Sequence, residues 1–558
     1  MIYILHIYKS DYTKYSLVSE TRKIDLDSSS LIHGLFHLDV VNYDGDRIVL
    51  VKRNLPKYIS GELELYSKYS FKPNKRGVPT YIFRPIDNTY PKFLVSSTLK
   101  KTNRSNLMVT VEYQEWAKDS LFPKANIVTI LGSVYDKNPL QESLLYKYGV
   151  DNKNTKIDFK GISSKFKKLI NDNKRYTVER EIISIDPPGC TDIDDAFSIE
   201  LYDDVLNLQI HISDVYYLLS GIGLLDSVEN ISSVYLTESI KHMLPKVISS
   251  DLGSLIEDNY RFMITLFIDF NVKTGNIENI EFRETLGKIT KNYHYKNYPK
   301  YIHKYFGYIG EIYRIVTKQK INIDDSHKFI EALMIVYNTH FAQAILSKST
   351  TRVYRTQLYK NVQTNICNID HTLEGFLNLI SSNSAQYSIE KNSHTSLKID
   401  SYTHVTSPLR RIVDLINQEV YYSDYSTILD KITIDKINDT NKKLKKFYRD
   451  INKISLAYDV YNSESYMTNC YIYSFNLEKN NSYMYFPEED ISIKLNIIHY
   501  KLYSVYNVSC KDSMITIESQ IDDSKKCIPL YKKLKVKING KPDIYNVDKS
   551  IVVEILSS

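Results

Sequence analysis

Cysteine and tryptophan are scarce in this 558-residue chain, which has five cysteines and one tryptophan. No two of the cysteines form a C-x-x-C pair, which argues against a structural zinc site or a disulfide framework and for a reducing compartment. No apolar run reaches the roughly 18 residues that suggest a membrane span, and MIYILHIY is too short for a signal peptide. We therefore expect a soluble intracellular protein without membrane contact, cytoplasmic or alternatively nuclear.

Several motifs that define common enzyme classes are also missing. The chain has no Walker-type glycine-rich loop, no H-E-x-x-H and no G-x-S-x-G. Its length predicts about three or four domains. The formal net charge of +6 allows a polyanionic partner without requiring one.

The stretch IISIDPPGCTDIDDAFSIE (residues 182–200) is the most informative part of the chain. IISI predicts a short buried strand, and the alternation of Phe197, Ile199 and Leu201 with polar residues predicts a second strand. Between the two strands lie four aspartates, which are Asp186, Asp192, Asp194 and Asp195. Clustered carboxylates repel each other unless a cation joins them, and oxygen ligands suit Mg²⁺ or Mn²⁺ better than zinc.

Two other interpretations of this stretch have to be weighed. A solvated acidic turn explains the spacing of the aspartates equally well. An EF-hand calcium loop requires a Gly at its sixth position and a Glu at its twelfth, and no frame that begins at these aspartates has both. The spacing alone leaves a hard-metal site and an acidic turn as alternatives.

The remaining sequence predicts β structure at both ends and mixed α/β structure between them. Up to about residue 175, short alternating runs are separated by turns, such as Asp44-Gly45 before a strand over residues 47–52. VLNLQIHISDV predicts a strand with His211 on its polar face rather than as a ligand. SHKFIEALMIVYNTHFAQAIL predicts a buried helix. After residue 466 short β runs return, which fits a small barrel able to bind a polyanion.

The segment SPLRRIVDLINQEV predicts a helix with an unusual first turn. Ser407 is a suitable N-cap and Pro408 a suitable first-turn residue. Arg410 and Arg411 then oppose the helix dipole, so local stability does not explain them. A phosphate bound by the guanidinium groups and the free N–H groups would explain them, and a surface arginine pair is the alternative.

Together these motifs resemble the RNB exoribonuclease family, which includes ribonuclease II, ribonuclease R and the catalytic exonuclease of the eukaryotic exosome. DPPGCTDIDDAFSIE resembles the family's metal-binding segment, in which an aspartate is followed after six, eight and nine positions by three more. LQIHISDV is similar to its next strand, SSVYLTESIKHMLPKVISSDLGSL to its tyrosine-containing segment, and YTHVTSPLRRIVDL to its arginine helix. FRPIDNTYPKFLV and EWAKDSLFPKANIVTILGSVYDKN resemble the second cold-shock domain of the exosome-type branch.

The resemblance covers the chain from about residue 30 to 558, most weakly at its end, and implies a multidomain α+β fold. We expect two N-terminal cold-shock OB barrels, a central mixed α/β RNB catalytic domain and a C-terminal S1-like OB barrel. The expected bounds are 1–72 and 73–150 for the barrels, 151–176 for a connector, 177–465 for the catalytic domain and 466–558 for the S1-like domain. We expect no endonuclease domain ahead of the first barrel.

The implied activity is processive 3′-to-5′ hydrolysis of single-stranded RNA to nucleoside 5′-monophosphates, as a monomer with unknown RNA-decay partners. The implied cofactor is Mg²⁺, for which Mn²⁺ can substitute, held by Asp186, Asp192, Asp194 and Asp195. Asp194 and Arg410 are the implied catalytic residues, with Arg410 at the scissile phosphate. Tyr235 would hold the 3′-terminal nucleotide, or alternatively be a core tyrosine, and Arg411 would contact the RNA backbone or serve structurally.

The chain departs from the family pattern at several positions. Gly253 stands where a cysteine is common, and Ile412 replaces a usual aromatic residue. The later helix NKKLKKFYRDINKISL lacks the functional glutamate of some bacterial members. Two alternatives to the RNA-degrading enzyme remain at this point: a non-catalytic RNA-binding protein on the same scaffold, and a divalent-metal nuclease that acts on DNA.

Overall fold

The computed structural model describes residues 1–8, 14–27, 32–66, 71–99, 105–152, 161–346, 352–358, 369–381, 383–461, 463, 466–478, 481–496, 506–511, 513–519 and 525–557. Cys367, residues 153–160 of the predicted connector, and residue 465 at the predicted end of the catalytic domain lie outside this part of the chain. None of the helices within the described residues combines the length and apolar character needed to span a bilayer.

The chain begins with a five-stranded antiparallel sheet of order β3-β2-β1-β4-β5. Its strands are β1 (Ile2–Ile7), β2 (Lys14–Val18), β3 (Lys23–Asp27), β4 (Val40–Tyr43) and β5 (Ile48–Lys52). Alternate residues of β1 such as Leu5 and Ile7 are buried, as the period of a half-buried strand requires. The predicted Asp-Gly turn is confirmed, because Gly45 has a φ of +113° and the Asp44 carboxylate accepts the N–H groups of Asp46 and Arg47.

A closed barrel of order β10-β8-β7-β6-β9 follows. Its strands are β6 (Ile59–Glu64), β7 (Thr80–Pro85), β8 (Phe93–Ser96), β9 (Leu107–Glu115) and β10 (Lys124–Ser133), and helix α1 (Lys137–Tyr148) packs against it. Strand β6 lies ahead of the predicted boundary at residue 72, and it pairs with β7 and β9. Leu63 of β6 is fully buried in the barrel core, so the basic stretch KPNKRGVP lies between two strands of one barrel.

The central part is built on a seven-stranded sheet of order β11-β18-β17-β14-β13-β12-β19. Its strands are β11 (Tyr176–Val178), β12 (Ile183–Asp186), β13 (Asp195–Tyr202), β14 (Val205–Ser213), β17 (Tyr260–Asn271), β18 (Asn276–Lys288) and β19 (Lys291–His294). Two short pairs complete the strands: β15 (Val234–Tyr235) with β16 (Ile240–Lys241), and β20 (Tyr354–Thr356) with β21 (Gln386–Ser388). Both strands predicted around the aspartates are confirmed.

Helices of this part pack on the sheet, on one another and, for α6 and α9, on elements outside the sheet. They are α2 (Ile162–Asn171), α3 (Val215–Ile222), α4 (Phe306–Thr317), α5 (Ser326–Leu346), α6 (His371–Ser381), α7 (Ile412–Tyr422), α8 (Thr427–Lys431) and α9 (Ile434–Tyr461). Helix α5 confirms the predicted buried helix and packs with α4 on the apolar face of β14. The opposite face of β14 is also buried, and His211 there bonds to Ser198 Oγ at 3.0 Å and Thr265 Oγ1 at 2.9 Å. The structure thus places His211 in a polar core layer.

The chain returns to β structure at its end, as predicted. The strands are β22 (Tyr466–Asn476), β23 (Asn481–Phe486), β24 (Ile491–Asn496), β25 (Tyr506–Lys511), β26 (Met514–Ser519), β27 (Lys525–Pro529), β28 (Lys533–Gly540) and β29 (Ile551–Ser557). They form a sheet of order β24-β23-β22-β28-β29 and a second sheet of order β25-β26-β27. Residues of both sheets share one apolar core with the last turns of α9.

Candidate active site

The aspartates lie where two paired strands of the central sheet end and begin. Strand β12 ends at Asp186 and β13 begins at Asp195, so the intervening loop returns to the same edge of the sheet. The loop opens with a tight turn in which Cys190 N–H donates to Pro187 O at 3.1 Å and Gly189 has a φ of +79°. That backbone conformation favours glycine, which explains the Pro-Pro-Gly break ahead of the acidic residues.

All seven residues that the sequence singled out as site residues line one cavity of about 640 Å³. They are Asp186, Asp192, Asp194, Asp195, Tyr235, Arg410 and Arg411. The two arginines lie more than 200 residues after the aspartates in the sequence, and the tertiary fold brings them to the same wall.

Asp194 is the residue that joins the acidic loop to the arginine segment. Its side chain is 3% exposed, and its two oxygens accept the N–H of Leu409 at 2.8 Å and Arg410 Nε at 3.1 Å. Burial raises the pKa of Asp194 to about 7, and the charge of Arg410 and the Leu409 N–H oppose that rise. The Nη2 atom of Arg410 donates to Ser407 Oγ at 3.1 Å, so the guanidinium is held at two of its nitrogen atoms.

Asp192 is held from the opposite side by a tyrosine. The hydroxyl of Tyr235 donates to Asp192 Oδ2. Burial, with the nearby Asp192 charge, raises the pKa of Tyr235 well above its ordinary value, so the phenol is a neutral donor. The backbone N–H of Tyr235 donates to the hydroxyl of Tyr448 at 3.0 Å, which ties strand β15 to helix α9.

Asp186 and Asp195 are the carboxylates with the least compensated charge. Burial, with repulsion from Asp192 among the further causes, raises the pKa of Asp186 to about 6. Burial and the charges of Asp186 and Asp194 raise the pKa of Asp195 well above its ordinary value. Among the described residues, Asp186 Oδ2 is buried and has no hydrogen-bond partner. A buried carboxylate oxygen without a partner is costly unless a cation or a proton compensates it.

The donor set fits a hard divalent cation, although the ligands are not arranged as a complete cage. No three His, Cys, Asp or Glu side chains within the described residues converge at metal-ligand geometry. Two of the four carboxylates are engaged by Tyr235 and Arg410. Asp186 and Asp195 are left as the groups on which a cation would first be held, because carboxylate oxygens are the preferred ligands of Mg²⁺ and Mn²⁺.

Cys190, in the same loop, does not supply a nucleophile. Burial and the neighbouring Asp186 and Asp192 charges raise the pKa of its thiol to about 12. A thiol is reactive as the thiolate, so this one is inert near neutral pH. Its Sγ lies 3.8 Å from Asp192 Oδ1 as a weak donor.

Arg411 differs from Arg410 in its contacts. Its Nη2 donates at 2.7 Å to Asp414, a fully buried carboxylate that also accepts the Ser407 N–H at 2.8 Å. Arg411 therefore anchors the turn between Ser407 and helix α7, while Arg410 bonds to the acidic loop.

The predicted helix start at Ser407 is wrong. Helix α7 begins at Ile412, and Arg411 precedes it in extended conformation (φ −133°, ψ 123°). The Ile412 N–H donates to Ile231 O at 2.9 Å and the Ser233 N–H to Arg410 O at 3.0 Å. Because the N–H groups of Leu409 and Ile412 have protein acceptors, they do not form the anion site predicted for a free helix start.

Further residues of the cavity wall escaped the sequence analysis. They include Tyr295, His327, Arg355, His394, Tyr402 and His404. The ring of Tyr295 stacks on that of His327 with centroids 4.0 Å apart. Tyr402 and His404 immediately precede the arginine segment in YTHVTSPLRR, which was the available signal. Tyr295 and Arg355 lie in stretches without a recognisable pattern.

Comparison with known protein families gives two matches along the chain. Residues 175–306 and 310–423 match the RNB domain, and residues 80–149 match the Dis3-like cold-shock domain 2. The central part of the chain therefore contains an RNB domain. The first match contains all seven site residues, and the second begins at strand β7 of the closed barrel.

Curated relatives match this chain at modest identity. Human exosome complex exonuclease RRP44 is 29% identical over 234 residues, which are 41% of this chain and 24% of the relative. Ribonuclease R of Ureaplasma parvum is 26% identical over 476 residues, which are 67% of this chain and 63% of the relative. The matched region thus spans about a quarter of RRP44 and less than two thirds of the bacterial enzyme.

Solved structures have a similar fold over most or all of the chain. Mycoplasma genitalium RNase R, in complex with ribose-methylated single-stranded RNA, matches with a TM-score of 0.74 and 16% identity over 100% of both chains. Yeast Ssd1, described as a pseudonuclease, matches with a TM-score of 0.60 and 14% identity over 93% of this chain and 82% of that one. The predicted fold class, an α+β chain with OB-type barrels around an RNB domain, is confirmed.

Proposed function

We propose that this protein is a 3′-to-5′ exoribonuclease that hydrolyses single-stranded RNA processively to nucleoside 5′-monophosphates and depends on Mg²⁺ or Mn²⁺. One observation carries the proposal: four aspartates, Tyr235 and Arg410 line a single cavity of about 640 Å³ in an RNB domain. Its relatives are named exonucleases and ribonucleases R, and one solved neighbour is bound to single-stranded RNA.

The acidic residues would hold the cation and the arginine would meet the phosphate. Asp186 and Asp195 are the main proposed ligands, and Asp192 and Asp194 complete the set. A bound divalent cation would supply charge neutralisation and activation of water for phosphodiester hydrolysis. Arg410 would stabilise the negative charge that develops on the phosphate, because its guanidinium is aimed by Asp194 and Ser407 before substrate arrives.

Asp194 has two proposed tasks in this site. It contributes negative charge next to the cation ligands, and it orients Arg410 through the 3.1 Å ion pair. Because Leu409 N–H also bonds to Asp194, the backbone that carries Arg410 is tied to the same carboxylate. Loss of its charge should therefore impair chemistry more than it impairs RNA binding.

Tyr235 is the proposed contact for the 3′-terminal nucleotide. Its ring is half-buried at the cavity wall, and aromatic rings stack on bases with little dependence on sequence. The OB-type barrels would guide the strand through backbone contacts, so binding should weaken with salt and discriminate RNA through the 2′-hydroxyl. The proposed partner is single-stranded RNA, bound by a monomer.

A non-catalytic RNA-binding protein is the second candidate, favoured by the likeness to the pseudonuclease Ssd1. The enzyme is the better interpretation because all four aspartates are present and line the same cavity as Arg410. A chain that had lost catalysis would not need to keep buried carboxylates whose charges raise one another's pKa values.

Degradation of a 5′-labelled single-stranded RNA tests the proposal. With Mg²⁺ we expect progressive shortening from the 3′ end and release of 5′-monophosphates, with little shortening in EDTA and none of a DNA oligonucleotide of the same sequence. Asp194→Asn should stop the reaction. Asp203→Asn, which changes an exposed aspartate with a φ of +51° that asparagine tolerates, is the matched control. RNA binding without any Mg²⁺-dependent shortening would overturn the enzyme in favour of the binding protein.

A further inference from the structure

Three cations at or beside the cavity form no ion pair within the described residues: Arg355 of strand β20, and Lys445 and Arg449 of helix α9. On the same helix, Lys443 pairs with Asp439 at 2.8 Å and Lys453 with Asp548 at 2.6 Å. Among the described residues, helix α9 thus has cations in ion pairs and others, including Lys445 and Arg449, outside them.

Arg355 belongs to the cavity wall itself. Its guanidinium stacks on the ring of Tyr387 with 4.6 Å between the guanidinium carbon and the ring centroid. Tyr387 is in turn bonded through its hydroxyl to His404 Nδ1 at 2.8 Å, so the aromatic platform is held in place. A guanidinium stacked on one face keeps its N–H fork free to bind a planar or tetrahedral oxyanion.

Lys445 and Arg449 extend this charge along helix α9. They are four residues apart and therefore share one face of the helix. Lys445 Nζ donates to Ser384 Oγ, and the neighbouring Ala385 lines the cavity. Burial and the charges of Arg355 and Arg449 lower the pKa of Lys445, as expected for an ammonium group among cations.

We propose that Arg355, Lys445 and Arg449 form a second phosphate site, which holds a backbone phosphate of the RNA strand other than the one that is cleaved. The inference rests on the proposed function. Like charges that gather without carboxylates are stabilised when an anion binds between them. Arg355 lines the same cavity as Arg410, so a strand whose last phosphodiester lies at Arg410 can place a further phosphate at Arg355.

Binding of RNA without Mg²⁺ is the first measurement, because it does not depend on hydrolysis. The full-length protein would be titrated with a labelled 20-nucleotide RNA over a range of salt concentrations. Loss of one phosphate contact lowers the slope of log K against log salt by about 0.7 for a single strand. We expect that reduction in Lys445→Gln/Arg449→Gln and in Arg355→Gln, while Lys445→Arg should keep the wild-type slope.

A matched control distinguishes the loss of this phosphate site from the loss of two positive charges anywhere on helix α9. Lys436→Gln/Lys443→Gln removes two exposed cations from the same helix, one of them the partner of Asp439, and should leave the slope unchanged. Thermal unfolding of each variant establishes that it is folded. Should Arg355→Gln fail to fold, the exposed pair Lys445 and Arg449 still decides the question.

Kinetics distinguish the second phosphate from the cleaved one. With the 20-nucleotide RNA, Lys445→Gln/Arg449→Gln should raise KM and leave kcat unchanged at saturation. A dinucleotide has only the phosphodiester to be cleaved, so on this substrate the double variant should have the same kcat/KM as the wild type. An unchanged salt slope, or an equal loss on both substrates, would overturn the inference.

The outcome also separates this inference from the proposed function. If the wild-type protein binds RNA, the variants reduce its salt slope and no RNA is shortened, the phosphate site is supported and the proposed exonuclease is overturned. If the wild-type protein shortens RNA and the variants have the same salt slope as the control, the exonuclease is supported and the phosphate site is overturned. A wild-type protein that binds no RNA would overturn the phosphate site whatever its activity.

Discussion

The aspartate segment, residues 182–202, carries its acidic groups at the ends of two paired strands, whereas the arginine segment, residues 405–422, carries its cations on a turn. Strand β13 is paired along its length with β14, from Asp195 with Ile212 to Tyr202 with Val205. The arginine turn is held by Asp194, Asp414 and the backbone of residues 231–233. One segment is positioned by its own sheet, and the other by contacts with Asp194 of the first segment, with Asp414 and with residues 231–233.

This difference implies that substitutions in the two segments have different consequences. A change of charge in the aspartate segment should leave the strands in place and act on chemistry. In the arginine segment, a change at Arg410, which faces Asp194, should act mainly on chemistry, and a change at Arg411, which faces the buried Asp414, should act mainly on stability.

The largest effect is expected for Asp194→Asn. The amide keeps the size of the carboxylate and can still accept the Leu409 N–H, but it removes the charge that faces Arg410. Loss of one such electrostatic contact lowers kcat by about 100-fold or more. Single-turnover hydrolysis of labelled RNA would measure this effect beside RNA affinity, which should stay within a few-fold of wild type, and unchanged turnover would contradict the role of Asp194.

Arg410→Ala and Arg411→Ala sharpen the contrast inside the arginine segment. Arg410→Ala should lower kcat by about 100-fold and lower stability less than Arg411→Ala does, because 44% of the Arg410 side chain is exposed against 28% of the Arg411 side chain. Arg411→Ala should lower the free energy of unfolding by about 3 kcal/mol, because it leaves the Asp414 charge buried without its partner. Denaturant unfolding and turnover would be measured for both, and the same profile in both variants would remove the distinction.

Tyr235 tests whether its ring or its hydroxyl matters to the site. Tyr235→Ala removes the proposed stacking surface and should weaken RNA binding by about 10-fold, since stacking on one base contributes about 1–3 kcal/mol. Tyr235→Phe keeps the ring and removes the hydrogen bond to Asp192, so affinity should be retained. Equal affinities of the two variants in a titration with RNA would assign Tyr235 to the core instead.

His211 of strand β14, which bonds to Ser198 of the aspartate segment, should make the stability of the protein depend on pH. Burial lowers its pKa to about 3, while the unfolded chain titrates near 6.5, so between these values the unfolded state binds a proton that the fold does not. Stability therefore falls as the pH falls below 6.5, by about 2 kcal/mol between pH 6.5 and pH 5.

His211→Gln keeps a polar group beside Ser198 and Thr265 and removes the titration. Its free energy of unfolding should depend less on pH than that of the wild type over the same interval. Parallel pH curves for the two proteins in urea unfolding would show that His211 does not titrate as its burial implies.

The smallest effect is expected for Ser407→Ala. A true N-cap loses about 1 kcal/mol of stability on this change. Ser407 is followed by a turn rather than by helix α7, and its hydroxyl accepts a hydrogen bond from Arg410 Nη2. The free energy of unfolding should therefore change by less than about 0.5 kcal/mol while kcat falls modestly. A loss of the full ~1 kcal/mol expected for an N-cap would indicate that Ser407 caps helix α7 after all.

Much of the site could be predicted because its signals are local. The alternation in β13, the helical spacing in α5 and the turn before the aspartates each depend on residues close together in sequence. The resemblance to the RNB family then predicted that Tyr235 and Arg410 share a site with the aspartates, and all of these residues line the cavity. The roles of these residues and the division into domains stay predictions.

Other features could not be predicted because they depend on distant partners. Local capping preferences favour Ser407 as the start of a helix, but Arg411 pairs with Ser232 and so stays extended. The predicted bounds place strand β6 in the first barrel because of its position in the chain, whereas β6 pairs with β7 and β9. The cations at Arg355 and Lys445 are 90 positions apart and show no common pattern.

Local patterns in the sequence predicted the strands that carry the aspartates and the buried helix α5, because periodicity is a property of short segments, and for the aspartates they left a hard-cation site and an acidic turn as alternatives. The fold places Arg410 rather than Arg411 against the aspartates, and it engages Asp192 with Tyr235 and Asp194 with Arg410. It also brings together at or beside the cavity three cations that form no ion pair within the described residues. These features arise from hydrogen bonds and burial between residues up to about 215 positions apart, such as Leu409 with Asp194, and local sequence carries no record of such contacts.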